Sequence, residues 1–596
     1  MKTGKGSICI VSVLCLFVCF SSAGETSSVI IDAMSDELAR SMKSLKIEDM
    51  ERPYYLEYSI LDKWTAEVEA GFGSLTKSTE SHNRELKVEL RVGDYQLDNT
   101  GFLSRSSMFA SGGGGSRSTV LEDDYNAIRH DLWLATDSAY KQALEQLAAK
   151  KGFIKNNVQS EETADFSKQK SEKLLAPREI QKIDRAKWEK IIKTLSTLFR
   201  KYPGIHESAV KLYFQSAHRY YVNSEGTVFC KPEHLVSIVA HGTTQAPDGM
   251  KLKHYFPIYA SKITDLPGEA EIAAGIRKMA EELTALTKAP VIEDYIGPVL
   301  FTKQASAELF ARMLAPHFSG ERPPLSSEPR LSQSVFSSKL TQRINRRVLP
   351  REISISDDPT RDTFKKNFLL GSYLIDDQGI KPKPVKLVES GVLKTLLMSR
   401  RPRKDISNSN GHARSGVRGQ VGVQIGNLFV TAEKGKSYKE LKKELIELCK
   451  EQQMSHGLII KSVDNPAVTG MDFSVASLIM SRSQSGPQMT NPVLMYRVRV
   501  KDGREELVRG ITFSEIDLRS FKDIVTVGND YFVHHRLMSS GGSANPMMIF
   551  FRGRSGSPGT PASIVAPSVL VEELEFKKSA ETRKNPPLLG HPFFLK

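Results

Sequence analysis

Apolar residues recur along this chain in two periods, and the period changes where one element gives way to the next. Leu38, Met42 and Leu45 are spaced for an amphipathic helix over residues 29–47. Residues 54–61 are a run of aromatic and branched side chains, and Leu86, Val88, Leu90 and Val92 alternate with charged neighbours. Both read as strands, and they are expected to pair. The stripe Ile128, Leu132, Ala135, Ala139, Ala143 and Leu147 predicts a long helix to Lys150, with Asp123 or Asp124 as cap and Trp133 packed beneath it. A second helix is expected over 184–201, then strands at 210–214, 218–222 and 227–230, with the turn Asn223-Ser224-Glu225-Gly226 before the last of them. Strands at 236–241 and 255–260 and a helix over 269–287 lead to Pro290, which marks a boundary.

The second half is richer in strands. Residues 385–388 and 392–398 flank Glu389-Ser390-Gly391, and residues 496–500 and 506–508 flank Lys501-Asp502-Gly503, both with hairpin turn chemistry. Ala305, Leu309 and Met313 give a broad apolar face to a helix over 302–317, which Pro316 ends. A further helix over 438–450 is capped by Ser437. Stretches 104–118, 155–173 and 541–561 are polar or rich in Gly, Ser and Pro and read as loops or linkers. The pattern is α+β.

Length adds that one core is not enough: 596 residues exceed the roughly 250–300 at which a single core stops growing. With 40% hydrophobic and 26% charged residues, the composition is that of an ordinary globular protein. Residues 1–24 read as a cleaved secretory signal: Lys2 and Lys5, an apolar run over 8–20, then Ser21-Ser22-Ala23-Gly24. That run is too short for a membrane span of about 20 residues. The mature chain is therefore expected in the periplasm or outside the cell, with no transmembrane anchor. Cys9, Cys15 and Cys19 leave with the signal; Cys230 and Cys449 allow one disulfide, but neither a disulfide framework nor a cysteine-based zinc site.

Net charge is +14, with a pI near 9.2. An exported chain meets little nucleic acid, and the basic runs (Arg343 with Arg346-Arg347, and Arg400-Arg401 with Arg403-Lys404) lack the interleaved aromatics that stack on bases. They read as solvated faces or loops, with adhesion to anionic envelope components as the second reading, and no nucleic-acid partner is expected.

Seven motifs then fall in a recognisable order: RHDLWLATDSAYKQAL at 129–144, NSEG at 223–226, VESGVLKTLLMSRR at 388–401, GHAR at 411–414, GNLFV at 426–430, IVTVGND at 524–530 and APSVLVEEL at 566–574. In these the chain resembles the TldD/PmbA family of metallopeptidase-related proteins. The resemblance implies an N-terminal α+β domain over 25–292, a largely β C-terminal domain over 293–578 and a tail over 579–596. It also implies dimers around an enclosed proteolytic chamber, either homodimers or heterodimers with a TldD-like subunit, acting on peptide or unfolded polypeptide.

In the TldD branch a His-Glu-x-x-x-His helix opens the second domain and a distal Cys completes a zinc site. Imidazoles and thiolate hold the metal, and the glutamate is the general base. In the PmbA (TldE) branch the motif is absent and the chain is the partner of an active subunit. Alignment on residues 298–301 and on Ser319-Gly320 places Ala311, Arg312 and Pro316 at the three motif positions. Ala311 and Pro316 carry no ligand, and Arg312 is a cation where a base belongs. No Cys follows Cys449. The expectation is accordingly no catalytic residue, no metal and no cofactor.

Several histidines need separate accounts. His317 lies one place beyond the second motif histidine, and a lone imidazole is not a zinc site, so it reads as a helix-end or interface residue. His206-Glu207 lacks a second histidine at motif spacing. His534 and His535 are adjacent, and on a strand they face opposite sides. By resemblance, His412, Arg414, Asn529 and Asp530 are candidates for peptide contact, the peptide adding to an exposed strand by β-augmentation, and from its place on the strand His534 is a candidate for chamber lining. The segments 411–414 and 528–530 read equally well as tight turns.

Three functions stay open. One is an exported, catalytically silent PmbA-like subunit. Another is a peptidase or hydrolase whose relocated site uses His317, His534 or His535 with Asp530 or Glu308. The third is a homodimeric envelope binding protein.

Overall fold

Long strands that reverse through tight turns generate the largest sheet. The computed structural model describes residues 28–103, 117–157, 163–327, 337–415, 421–469, 487–538, 559–579 and 589–594. The signal expected at 1–24, most of the loops expected at 104–118 and 541–561, and most of the tail lie outside the described residues. After helix α1 (Val29–Ser44), strands β1 (Pro53–Gly71) and β2 (Ser74–Val92) form an antiparallel hairpin, so the two expected strands do pair and run on well past their predicted ends.

Helix α2 (Tyr125–Asn156) takes its N-cap from the Asp124 side chain, and α3 (Arg185–Ser196) takes its cap from Asp184. The strands expected at 210–214 and 218–222 are one strand, β3 (Glu207–Asn223), because Gln215, Ser216 and Ala217 stay in register with both neighbours. The turn that follows owes its sequence to geometry: the Asn223 side-chain oxygen accepts from the N–H groups of Glu225 and Thr227 at 3.1 and 3.0 Å, and Gly226 sits at φ +91°. Strands β4 (Val228–Gln245) and β5 (Lys251–Ala260) complete the sheet's order β2-β1-β3-β4-β5, with two short strands on β2 and β4.

One face of this sheet is covered by two helical pairs. Tyr58, Ile60, Leu86 and Tyr220 pack against α1 and α2, whereas Val68, Leu212, Val236 and Ile238 pack against α3 and α4 (Glu269–Lys288). Between the two apolar clusters the same face carries a polar belt. Buried Asp62 accepts from His82 at 2.7 Å, Arg178 at 2.8 Å and Arg84 at 3.1 Å, and the Trp64 ring stacks on His82.

His218 is also buried in this belt, with neither ring nitrogen hydrogen-bonded. Burial, then the charges of Arg178 and His234, push it down to about 4. An unfolded histidine titrates near ~6.5, so between these values the unfolded chain binds a proton that the folded chain does not, and stability falls as the pH drops. His218→Phe is therefore expected to lose less stability than the parent between about pH 7 and pH 4.5, read as urea midpoints. Equal losses in the two proteins would refute this account.

Three expectations are corrected here. Trp133 is 48% exposed and lies beside His130 on the outer side of α2, because the apolar stripe that faces the sheet falls elsewhere on the helix. The stretch 155–173 is not simply an exposed linker: α2 continues to Asn156, and Asp165, Phe166 and Ser167 are buried. Nor is Arg400 solvated. It is 1% exposed, with its guanidinium 3.9 Å from the Phe166 ring centre. Cys230 and Cys449 are both buried and free, so the one disulfide the count allowed is not formed.

The second half holds two larger sheets. One runs β8-β7-β9-β13-β12, comprising β7 (Ile353–Asp357), β8 (Val385–Glu389), β9 (Asn427–Ala432), β12 (Phe532–Met538) and β13 (Thr560–Ala566), with a two-residue strand beyond β8. The other runs β11-β10-β6-β14, comprising β6 (Tyr295–Phe301), β10 (His456–Val463), β11 (Pro492–Arg499) and β14 (Val569–Lys578), with three short flanking strands. The hairpins expected around Ser390-Gly391 and Asp502-Gly503 are present. Helix α6 (Tyr438–Glu451) begins in a capping box between Ser437 and Glu440. Residues of both sheets share one core cluster with a helical segment that starts at α5 (Lys303–Leu309), so that segment is enclosed between them. No described helix is long and apolar enough to cross a membrane.

The halves are joined by buried polar contacts. Arg400 reaches into the first half, where its Nη2 and Nε donate to the Ser167 carbonyl at 2.7 and 3.1 Å, and Nη2 also donates to Glu225 at 2.8 Å. Its Nη1 donates to Tyr55 Oη at 3.3 Å. Tyr55 and Tyr221 in turn donate to buried Glu57 at 2.7 and 2.8 Å.

Candidate functional site: one carboxylate held by two arginines

The segment that would carry a metal motif is not a plain α-helix. After α5 the chain makes a π turn over Phe310–Leu314, in which the Ala315 N–H donates to the Phe310 carbonyl, and then a 3₁₀ turn over Ala315–Phe318. In an α-helix, residues five apart point about 140° away from each other. A hydrogen bond from i to i+5 narrows that angle within the turn it closes, here residues 310–315. The side chains at the two ligand positions of the motif are Ala311 and Pro316, which offer no donor atom.

Arg312, at the base position, turns back along the helix. Its Nε donates to Glu308 Oε2 at 2.5 Å across one helical turn. Glu308 is 0% exposed and has two further partners on β12: Arg536 Nη1 at 2.5 Å from the same Oε2, and His534 Nε2 at 2.8 Å from Oε1. The period of two along a strand puts His534 and Arg536 on one side and His535 on the other. Burial works against the Glu308 charge, but Arg536, Arg312 and His534 outweigh it and hold the carboxyl well below the usual carboxylate range. A carboxylate pinned in this way is a poor proton acceptor.

The donor set does not fit zinc. Glu308 and His534 are the two ligand-type groups present, both are engaged, and two guanidinium charges stand against a metal cation. Among the described residues, no group of three or more His, Cys, Asp or Glu could hold a metal ion.

The other sequence candidates lie apart from this cluster. His412 is sealed from solvent, with Nε2 3.1 Å from Asp357 Oδ1 and Nδ1 3.0 Å from the Asn410 side-chain oxygen. The Arg414 guanidinium lies 4.1 Å from the Tyr373 ring centre. Asn529 is exposed and pairs its N–H with the Lys436 carbonyl, and Asp530 accepts from the Ser568 hydroxyl at 2.7 Å and from its N–H at 3.1 Å. His317 stands at the helix end, buried, with Nδ1 accepting from the Lys339 N–H at 3.1 Å. Burial, then Lys339, pushes its imidazole down to about 4. His535 packs its ring against Tyr259 and Phe368, and burial pushes it to about 4 as well.

Of the pairings considered for a relocated site, the structure brings together His534 with Glu308. Arg536 was missed, although its place two residues beyond His534 on a strand was the available signal.

The family model for the PmbA/TldA metallopeptidase C-terminal domain matches residues 294–578. A protein of Archaeoglobus fulgidus named a metalloprotease is 35% identical over 92 residues, 15% of this chain and 20% of that protein. One of the same name from Methanothermobacter thermautotrophicus is 33% identical over 94 residues, 16% of this chain and 19% of that protein. The matched stretch spans about a fifth of either relative.

Among solved structures, a putative modulator of a DNA gyrase from Thermotoga maritima is similar, with TM-score 0.54 and 19% identity, covering 88% of this chain and 96% of that one. So is TldE from Thermococcus kodakarensis, with TM-score 0.55 and 12% identity, covering 91% and 100%. At those identities the structures speak for the fold alone: a mixed α+β architecture shared over most of the chain. With the C-terminal family match, the metalloprotease relatives and this shared fold together, the chain belongs to the TldD/PmbA family of metallopeptidase-related proteins.

Proposed function

We propose that this chain is an exported, catalytically silent TldD/PmbA subunit that walls a peptide-processing chamber, paired with a second copy of itself or with an active zinc-peptidase subunit. One observation carries the reading: at the motif helix, Glu308 is neutralised by Arg312 and Arg536. Guanidinium groups stand where metal chemistry needs ligands and an open position. In this reading the chain divides at 25–292 and 293–578, needs no cofactor, handles peptide or unfolded polypeptide and does not bind nucleic acid. Residues 1–24 direct export to the periplasm or beyond.

The His534–Glu308 contact favours a second reading, a relocated hydrolase. Against it, no Ser, Thr or Cys is hydrogen-bonded to His534 among the described residues, so the pair lacks a nucleophile to activate. Both readings meet one experiment. Purified chain is expected to carry far less than one zinc per protein by elemental mass spectrometry and to leave unfolded polypeptide uncleaved. Stoichiometric zinc, or cleavage that disappears in His534→Ala, would overturn the silent reading.

A further inference from the structure

The two arginines that neutralise Glu308 are not used up by it. Arg312 and Arg536 donate to the same oxygen, Glu308 Oε2, so their guanidinium groups stand side by side. Each guanidinium has five N–H donors, and each spends one on Glu308. Among the described residues, the remaining donors of both make no hydrogen bond, yet none of them is among the buried polar atoms left without a partner. They therefore reach accessible space, at side-chain exposures of only 14% and 15%.

Charge points the same way: two guanidinium cations share one carboxylate, which leaves a surplus positive charge in a recessed place. Low exposure strengthens charge-assisted hydrogen bonds, and paired guanidinium donors match a planar carboxylate.

We propose that Arg312 and Arg536 form a binding subsite for the C-terminal carboxylate of a peptide. The proposal rests on the peptide-handling reading above and deepens it: the residues that exclude metal chemistry at this helix anchor a peptide end instead. A terminal carboxylate is planar, carries one charge and reaches a recess without threading a chain through it.

The test uses the full chain and three dye-labelled versions of one unstructured peptide, followed by fluorescence anisotropy. One has a free C-terminal acid, one a C-terminal amide, and one an amide with an added internal glutamate that restores the charge of the acid. The acid is expected to bind about tenfold more tightly than either amide, a difference of about 1.4 kcal/mol. Arg312→Gln should abolish that preference, and Arg312→Lys, which keeps the charge but loses the fork, should retain part of it.

Equal affinity for the acid and the charge-matched amide would overturn the proposal, as would a preference that survives in Arg312→Gln, or no binding of any of the three. The comparison of peptides on the unmodified chain needs no variant to fold. Zinc content and cleavage decide the silent reading separately, so failure here is distinguishable from failure there.

Discussion

Glu308→Ala should lower the stability of the fold by about 3–5 kcal/mol, the range for removing one partner of a buried ion pair. The alanine leaves Arg312 and Arg536 side by side with no carboxylate between them and deprives His534 of its partner. The helix that bears Glu308 lies inside the core cluster shared by two sheets, so the repulsion cannot be relieved by moving the helix outward. A lowered thermal midpoint followed by circular dichroism is the measurement. Replacing Glu308, Arg312 and Arg536 together with apolar residues of similar volume should recover most of the loss, since the cost lies in the unpaired charges rather than in the missing pair. A Glu308→Ala protein that melts with the parent would show that the cluster does not hold this region together.

Arg400→Met should be comparably damaging, at about 3–5 kcal/mol. The methionine fills part of the space over Phe166 and Tyr55 but removes the guanidinium donors to the Ser167 carbonyl, to Glu225 and to Tyr55, leaving Glu225 with the Tyr95 hydroxyl. Glu57 lies next in this network, and its carboxyl is already pushed up, by burial first and then by Glu89. Because Arg400 belongs to the second half and its partners to the first, the expected signature is faster proteolytic cleavage between the halves as well as a lower midpoint. Arg400→Lys keeps a charge but not the planar fork and should fall between the two. Unchanged cleavage and midpoint in Arg400→Met would remove this contact from the account of how the halves are joined.

These two residues also show where reading from the sequence stops. Period, caps and turn chemistry located α2 with its aspartate cap, α3, α6 with its serine cap and the Asn223–Gly226 turn, because each depends on neighbours a few residues away. Glu308 and Arg536 are 228 residues apart, and Arg400 and Ser167 are 233 apart. No local pattern marks a charge whose partner is so distant, so Arg400 read as part of a solvated run.

Lys150 illustrates the same limit. It sits on the buried side of α2, with its amine donating to the carbonyls of Asp98 and Thr100 at 2.9 and 2.7 Å and to the Asp165 carboxylate at 2.5 Å. The candidate site was half legible. Loss of the ligand residues could be seen by alignment, and His534 with Glu308 had been named, but the second arginine and the way both close on one carboxylate needed coordinates.

The π turn at Phe310–Leu314 has a consequence for how such a site is gained or lost. In ordinary α geometry residues 311 and 316 would point about 140° away from each other. Here the i to i+5 turn is present with Ala311 and Pro316 at those positions, and Phe310, Ala311, Met313 and Leu314 belong to the core cluster that packs around it. Scaffold and chemistry are therefore separable in this fold: the side chains can be exchanged while the frame that aims them stays in place.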